Sequence, residues 1–413
     1  HARDRVGRTG VERFLLPRSF NTPETARGMI DIAARLEGIA PFHVMDILAR
    51  ARAMEAQGRS IIHLEIGEPD FPTPSAVVEA GIAALREGHT HYTPALGLPS
   101  LRAAIAASYL PECAVTAERV VVTPGASGAL TLICAALVNP GDEVLMTDPG
   151  YPCNRHFVRL FGGVAVSIPV GPNTAYQLTP ELIRRHWTKQ TRAVLLASPS
   201  NPTGTIIADA DMAKIADTVT ELGGALIVDE IYHGLIYGSS VKSALCHTPD
   251  VFVLNSFSKY YGMTGWRLGW LVTPAKFLLA LDRLAQNVFL ASSTPAQYAT
   301  LAAFRTDVMA ELNQRRDVFR ERRDYLLPAL RQLGFGIPVT PEGAFYLYAD
   351  ASRFTNDSMA FAEQLLEKTG VAITPGIDFG AHRANEHVRF SYANTMENLR
   401  EAVKRIGGFV ARS

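Results

Sequence analysis

The run of residues from Ser256 to Gly269 combines side chains that could hold a phosphate with a lysine that could bond covalently. Ser256 and Ser258 flank Lys259 with hydroxyl groups, and Arg267 follows eight residues after the lysine in a glycine-containing loop. Hydroxyls and a guanidinium suit a phosphate, which takes several charge-assisted hydrogen bonds at fixed geometry. A lysine beside a phosphate site is what an enzyme with a Schiff-base cofactor needs. An ordinary surface lysine, the alternative, leaves these neighbours unexplained.

Three further segments carry glycine or polar residues where predicted strands end. Gly125–Gly128 follows a strand and opens a helix, so its N–H groups could bind a phosphate, although a plain turn also explains it. Ser200–Gly204 is a turn by composition. Asp229 ends an apolar strand, where a buried acid is costly unless it is paired. A helix N-cap is the alternative for Asp229.

The run from Ser256 to Gly269 resembles the attachment signature for pyridoxal 5′-phosphate (PLP) of the class I and II aminotransferases at every constrained position. Resemblance extends from about residue 38 to the C-terminus. It implies an α/β fold of the type I class of PLP enzymes. That class has a large PLP-binding domain, whose mostly parallel sheet is covered by helices on both faces, and a smaller α+β domain. The resemblance also implies a homodimer with shared active sites.

The resemblance assigns a set of residues to the cofactor. Lys259 is implied to carry it as a Schiff base, and the phosphate is implied to bind Gly125, Ala126, Ser127, Ser256, Ser258 and Arg267. Asp229 is implied to hold a proton on the pyridine nitrogen, which strengthens the ring as an electron sink. By the same resemblance, Asn201 and Tyr232 bond the phenolic oxygen O3′, and Tyr151 stacks on the ring. Tyr92 is implied to reach the phosphate bound in the partner subunit.

The resemblance also implies where the substrate binds. Gly67 is expected to approach its α-carboxylate through the backbone, and Arg389 to grip that carboxylate with a bidentate fork. Asn201 is expected to contribute to this site as well. No further arginine or lysine is singled out by the sequence for a second, distal carboxylate.

The implied reaction moves an amino group from an L-amino acid to a 2-oxo acid through the Lys259 Schiff base and a pyridoxamine phosphate intermediate. Lys259, Asp229 and Tyr232 are the expected catalytic residues. A PLP-dependent lyase on the same scaffold, catalysing β-elimination or an aminocyclopropane-carboxylate-synthase-like reaction, is the alternative. A non-enzymatic effector-sensing domain is more remote, because roughly 60 upstream residues without a second apolar core leave no room for a DNA-binding domain.

The elements expected to position these residues change character along the chain. From about residue 74 to residue 290, short apolar strands alternate with amphipathic helices, a pattern typical of a parallel sheet covered on both faces. Ligands of such sheets gather at the carboxyl ends of the strands. A long charged helical segment, Thr294–Leu333, then leads into mixed strands and helices. We therefore predict an arm over 1–30, a smaller domain from 31–73 and 301–413, and a large domain over 74–300.

Composition restricts the classes of partner. Forty basic and forty acidic residues give no net field to attract nucleic acid or a membrane surface, and no apolar run reaches the roughly 20 residues of a membrane span. The histidines form no metal-binding pattern, so no metal is expected. Cys113, Cys134, Cys153 and Cys246 have no paired spacing, which favours reduced thiols in a cytoplasmic protein.

Overall fold

The computed structural model describes residues 31–238 and 240–412. The strands are β1 Ile62–His63, β2 Val120–Thr123, β3 Glu143–Asp148, β4 Val164–Pro169, β5 Thr191–Ala197, β6 Ala225–Asp229, β7 Val251–Ser256, β8 Gly269–Val272, β9 Tyr346–Asp350, β10 Val371–Ala372, β11 Thr374–Pro375 and β12 His387–Ser391. The α-helices are α1 His43–Ala56, α2 Ser75–Arg86, α3 Pro99–Ser108, α4 Gly125–Leu137, α5 Pro152–Leu160, α6 Pro180–His186, α7 Asp209–Glu221, α8 Leu278–Val288, α9 Thr294–Leu301, α10 Thr306–Leu333, α11 Ser358–Thr369 and α12 Met396–Val410.

Seven strands form the main sheet, in the order β2-β8-β7-β6-β5-β3-β4. Strand β8 runs antiparallel to both of its neighbours, and the remaining pairs are parallel. Alternate residues of a strand face opposite sides of a sheet. In β7, Val251 and Val253 enter one apolar core, and Phe252 and Leu254 enter another on the opposite face. The sheet is therefore buried on both faces, and the prediction of a mostly parallel, covered sheet is confirmed.

A second group of elements surrounds a separate apolar core. Strands β11, β12 and β9 form an antiparallel sheet, and β1 pairs with β10 in parallel. Helices α1, α10, α11 and α12 contribute buried residues to this core. The predicted arm over 1–30 lies outside the described residues, and the predicted domain limits stay predictions.

One predicted element differs from the observed structure. The helical segment Thr294–Leu333 is divided into α9 and α10 by a 3₁₀ turn at Ala302–Phe304, after which Arg305 adopts an extended backbone. Strand β9 begins at Tyr346, after Ala344, whose φ of 59° lies in the left-handed region that strands do not adopt. Among the described residues, no helix is long and apolar enough to span a membrane.

The prediction of four reduced thiols is wrong for one pair. Cys113 and Cys246 form a disulfide, with their Cα atoms 4.8 Å apart although the two residues are 133 positions apart in the chain. Cys134 is a buried free thiol and Cys153 is a partly buried one. Sequence spacing could not reveal the pair, because the fold brings the segment after α3 against the 3₁₀ turn Ala244–Cys246.

Candidate active site

A cavity of about 360 Å³ lies at the carboxyl ends of the central strands. Strands β5, β6 and β7 are parallel neighbours, so their last residues, Ala197, Asp229 and Ser256, meet at one edge of the sheet. The predicted site residues that line this cavity are Gly67, Ala126, Ser127, Tyr151, Asn201, Asp229, Tyr232, Ser256, Ser258, Lys259, Arg267 and Arg389. Segments far apart in sequence are thus brought together around one space.

Lys259 follows β7 and is only partly buried. Its Nζ donates a hydrogen bond to the backbone oxygen of Gly67, on the opposite wall. Loss of hydration lowers the pKa of Lys259 to about 8, and the nearby positive charges of Arg389 and Arg267 act in the same direction. The negative charge of Glu68 opposes this shift. A lysine with such a pKa holds a substantial fraction of neutral, nucleophilic amine near neutral pH.

Asp229 is the last residue of β6 and only 7% exposed. Its Oδ1 accepts a hydrogen bond from the N–H of Ile231 at 2.9 Å, the one bond to this carboxylate in the described chain. Burial raises the pKa of Asp229 to about 7, although the Ile231 N–H and the charge of Lys259 both lower it. Because a single hydrogen bond stabilises the buried charge of Asp229, this carboxylate is suited to a cationic partner inside the cavity.

The glycine-rich turn at the start of α4 forms a cradle with Arg267. Gly125 has a φ of 68°, and a Cβ there would lie 2.6 Å from Nη2 of Arg267. Gly269 packs against the same turn, since a Cβ on it would lie 2.9 Å from the backbone nitrogen of Ala126. Both glycines are therefore required by close approach. The cradle combines a helix N-terminus with a guanidinium, which suits an anion.

Ser256, at the end of β7, and Ser258, just after it, complete the cradle. The Ser256 hydroxyl donates to Oγ of Ser258 at 2.9 Å and accepts from the Ser258 N–H at 3.0 Å. Arg267 itself adopts a left-handed backbone with a φ of 53°, and its Nη1 donates to the Thr264 oxygen at 2.9 Å. A non-glycine residue in that region is strained, and such strain is concentrated at functional sites.

Arg389 projects from β12 and is 3% exposed. Its Nη1 donates to Oδ1 of Asn201 at 2.9 Å, and its Nη2 donates to the Glu65 backbone oxygen at 2.7 Å and to the Thr374 hydroxyl at 3.1 Å. The guanidinium also lies 4.3 Å from the centre of the Tyr346 ring. Hydrogen bonds and a cation–π contact thus fix the plane of the fork.

Sequence reasoning missed Tyr346 of β9. Its hydroxyl lies 2.8 Å from the Tyr232 hydroxyl, and a Cβ on Gly67 would lie 2.9 Å from it. Tyr346 therefore connects a residue expected at the cofactor with one expected at the substrate. A tyrosine in a predicted strand is a weak signal, because its role depends on the pairing of β9 with β12.

Two predicted residues are not part of the cavity lining. Gly125 does not line the cavity itself, but it lies directly against the guanidinium of Arg267, which does. Tyr92 is 82% exposed, which leaves its side chain at the surface of the chain. Tyr151, in contrast, lines the cavity beside Asp229, and burial raises its pKa.

Comparison with known proteins identifies the family to which this architecture belongs. The family description Aminotransferase class I and II matches residues 59–406. The chain belongs to this family. It is 40% identical over 386 residues to valine–pyruvate aminotransferase of Mycobacterium tuberculosis, covering 92% of this chain and 99% of that protein. It is 36% identical to (5-formylfuran-3-yl)methyl phosphate transaminase of Methanocaldococcus jannaschii, covering 92% and 99%.

Solved structures agree with the sequence comparison. A crystal structure of an aminotransferase from Mycobacterium tuberculosis superposes with a TM-score of 0.89 at 39% identity, covering 93% of this chain and all of that one. The class I and II aminotransferase described here is accordingly a PLP-dependent enzyme of fold type I that transfers amino groups between amino acids and 2-oxo acids. The cavity fits PLP, because it offers an anion cradle at Gly125 and a poorly compensated buried acid at Asp229.

Proposed function

We propose that this cavity is the aminotransferase active site and that Lys259 is the residue that bonds PLP. The observation that carries the proposal is that Lys259, Asp229 and Arg389 line one cavity, although they come from three separate parts of the chain. The low pKa of Lys259, about 8, supports its role as the nucleophile.

Each remaining residue has a proposed role at the cofactor. The cradle of Gly125, Ala126, Ser127, Ser256, Ser258 and Arg267 binds the phosphate. Asp229 faces the pyridine nitrogen, where its charge is compensated by the ring proton. Asn201 and Tyr232 donate to the phenolic oxygen, and Tyr151 stacks on the ring. When bound, PLP supplies an aldehyde for the amino group and a ring that withdraws electrons from the substrate.

The protein residues then hold the substrate and move its proton. Arg389 binds the α-carboxylate with its fork, and the backbone of Gly67 approaches the same group. This grip orients the substrate so that its Cα–H bond points along the path to Lys259. The amine of Lys259, released when the substrate amino group replaces it on the cofactor, would take the proton from Cα as a general base and deliver it to the former aldehyde carbon of the cofactor.

We also propose a homodimer, in which Tyr92 reaches the phosphate of the partner's site. The support for this assembly is the 82% exposure of Tyr92 and its position outside the cavity of its own chain. A side chain that completes a neighbouring site has to project from its own subunit.

Borohydride reduction followed by peptide mapping tests the role of Lys259. The yellow holoenzyme should lose its absorption band on reduction, and the cofactor should remain on the peptide that contains Lys259. Lys259→Ala should lose the band while it still binds PLP through the cradle. Recovery of the reduced cofactor on another lysine would contradict the assignment.

A second measurement separates transamination from the lyase alternative. An amino acid alone should convert the enzyme once, and turnover should resume only when a 2-oxo acid is added. A lyase needs no acceptor, so sustained release of ammonia from the amino acid alone would favour elimination.

A further inference from the structure

One wall of the cavity is apolar and has no role in the chemistry above. Phe42, Val44, Met45 and Leu48 line it from the start of α1, and Phe157 of α5 joins them. These five residues are the apolar wall. Phe42, Met45 and Leu48 recur at steps of three residues, which brings their side chains to one face of the helix. Met45 remains 55% exposed, so the wall has apolar surface available for a ligand.

Each positively charged side chain of the cavity lining already has a proposed role. Within the described part of the chain, the arginines and lysines that line the cavity are Lys259, Arg267 and Arg389. The proposed function uses these three for the cofactor, its phosphate and the α-carboxylate. Glu68, an exposed residue, adds a negative charge to the lining. A substrate with a second carboxylate would therefore find no unassigned cation among the lining residues of its own subunit, and this lining also carries the like charge of Glu68.

We propose that the apolar wall is the subsite for the substrate side chain, and that the enzyme selects L-amino acids with apolar side chains over aspartate and glutamate. This inference rests on the proposed function, because it takes Arg389 as the site of the α-carboxylate. The wall and Arg389 line the same cavity, so a substrate held at Arg389 can extend its side chain towards α1. Burying that side chain against the wall removes apolar surface from water, which is the source of the selectivity.

Asp378 holds the wall in position. Its two carboxylate oxygens accept hydrogen bonds from the N–H groups of His43 and Val44, each at 2.8 Å. Asp378 is 2% exposed, and its backbone oxygen accepts from Arg155 at 3.1 Å. A carboxylate that binds the first free N–H groups of a helix fixes where the helix begins. Asp378 is thus a positioning residue for the wall and makes no contact with the reacting atoms.

Single-turnover conversion of the holoenzyme by one amino acid at a time tests this selectivity. Alanine, leucine, aspartate and glutamate are mixed separately with the enzyme, and the change in cofactor absorbance gives kcat/KM for the half-reaction. Leucine should exceed aspartate and glutamate by at least roughly tenfold, the scale expected from an apolar pocket. If the proposed function itself were wrong, no amino acid would convert the enzyme. If only this inference were wrong, a dicarboxylic amino acid would convert it fastest.

Variants of the wall identify the residues responsible. Leu48→Ala and Phe42→Ala should each lower kcat/KM for leucine by roughly tenfold and leave alanine within about twofold, because a methyl group barely reaches the wall. Leu85→Ala, at a residue that is 57% exposed and outside the lining, is the matched control and should change neither value. Equal losses for leucine and alanine in the wall variants would overturn the assignment.

Two further variants test the charge and the position of the wall. Met45→Arg should raise the ratio of glutamate to leucine turnover, because it adds the missing cation. Asp378→Asn retains only one acceptor oxygen for the two N–H groups, so it should lower the ratio of leucine to alanine turnover. A merely structural role for Asp378 would lower both rates in parallel and leave that ratio unchanged, which would overturn its part in the proposal.

Discussion

Arg389 donates a hydrogen bond to the side chain of Asn201 over 2.9 Å, although the two residues are 188 positions apart in the chain. The bond joins β12 of the small antiparallel sheet to the turn after β5 of the main sheet. The residue proposed for the substrate carboxylate and a residue proposed for the cofactor therefore orient each other. Substrate position and cofactor position are mechanically linked at this contact.

Arg389→Ala should lower kcat/KM for amino acids by at least roughly tenfold, since charge-assisted hydrogen bonds to a carboxylate contribute about 1.5–3 kcal/mol each. Loss of alignment would enlarge the effect. A decarboxylated amine should lose much less, because it has no carboxylate for the guanidinium to bind. Arg389→Lys keeps the charge without the planar fork and should recover only part of the loss. Equal losses for the amino acid and the amine would argue that Arg389 acts elsewhere.

The rate at which cofactor-free enzyme binds PLP covalently should rise with pH and level off with a midpoint near the Lys259 pKa of about 8. The reason is that only the neutral amine attacks the aldehyde, and burial favours that neutral form. Stopped-flow absorbance at several pH values measures the midpoint.

Glu68 provides the matched variant for that titration. Its negative charge raises the pKa of Lys259, so Glu68→Gln should move the midpoint to lower pH. Glu87→Gln alters an exposed carboxylate outside the cavity and should leave the midpoint unchanged. A midpoint that stays fixed in Glu68→Gln, or moves upward, would contradict the proposed electrostatic origin.

Sequence alone predicted the elements whose signals are local. The apolar strand Ala225–Asp229 ends at Asp229 as predicted, and the turn at Gly125 begins a helix as expected. Because parallel strands present their carboxyl ends together, the strand pattern is sufficient to predict that Asp229 and Lys259 lie at one edge of the sheet.

The remaining features depend on contacts between distant segments. Tyr346 enters the site only because β9 pairs with β12, and the apolar wall exists because Asp378 holds the start of α1 beside the cavity. The disulfide between Cys113 and Cys246 likewise joins two segments that the spacing of the cysteines in the sequence does not predict to be close. Sequence patterns report the periodicity of one element and contain little information about which elements meet.

The disulfide should be detectable by thiol labelling. In denatured but unreduced protein, a maleimide should modify Cys134 and Cys153, and reduction should expose Cys113 and Cys246 as well. Cys113→Ser should lower the free energy of unfolding by about 2–4 kcal/mol, because it releases a long loop in the unfolded chain. Denaturant unfolding measures the change, with Cys153→Ser as the control that leaves the bridge intact. Labelling of all four cysteines without reductant would show that the bridge does not form in solution.

The proposed sharing of sites between subunits can be tested by mixing two defective variants. Lys259→Ala removes the nucleophile, and Tyr92→Ala removes the side chain proposed to reach the partner's phosphate. In a hybrid dimer, one site lacks both residues and the other has both, because each site takes its lysine from one subunit and its tyrosine from the other. Equal mixing should therefore restore activity to about a quarter of that of wild type, since half of the two-fold dimers are hybrids with one complete site.

Mixing Lys259→Ala with Lys259→Met is the control and should restore no activity, because every site then lacks its lysine. Native mass spectrometry verifies that subunits exchange, and an absence of recovery in exchanged dimers would place Tyr92 outside the shared site.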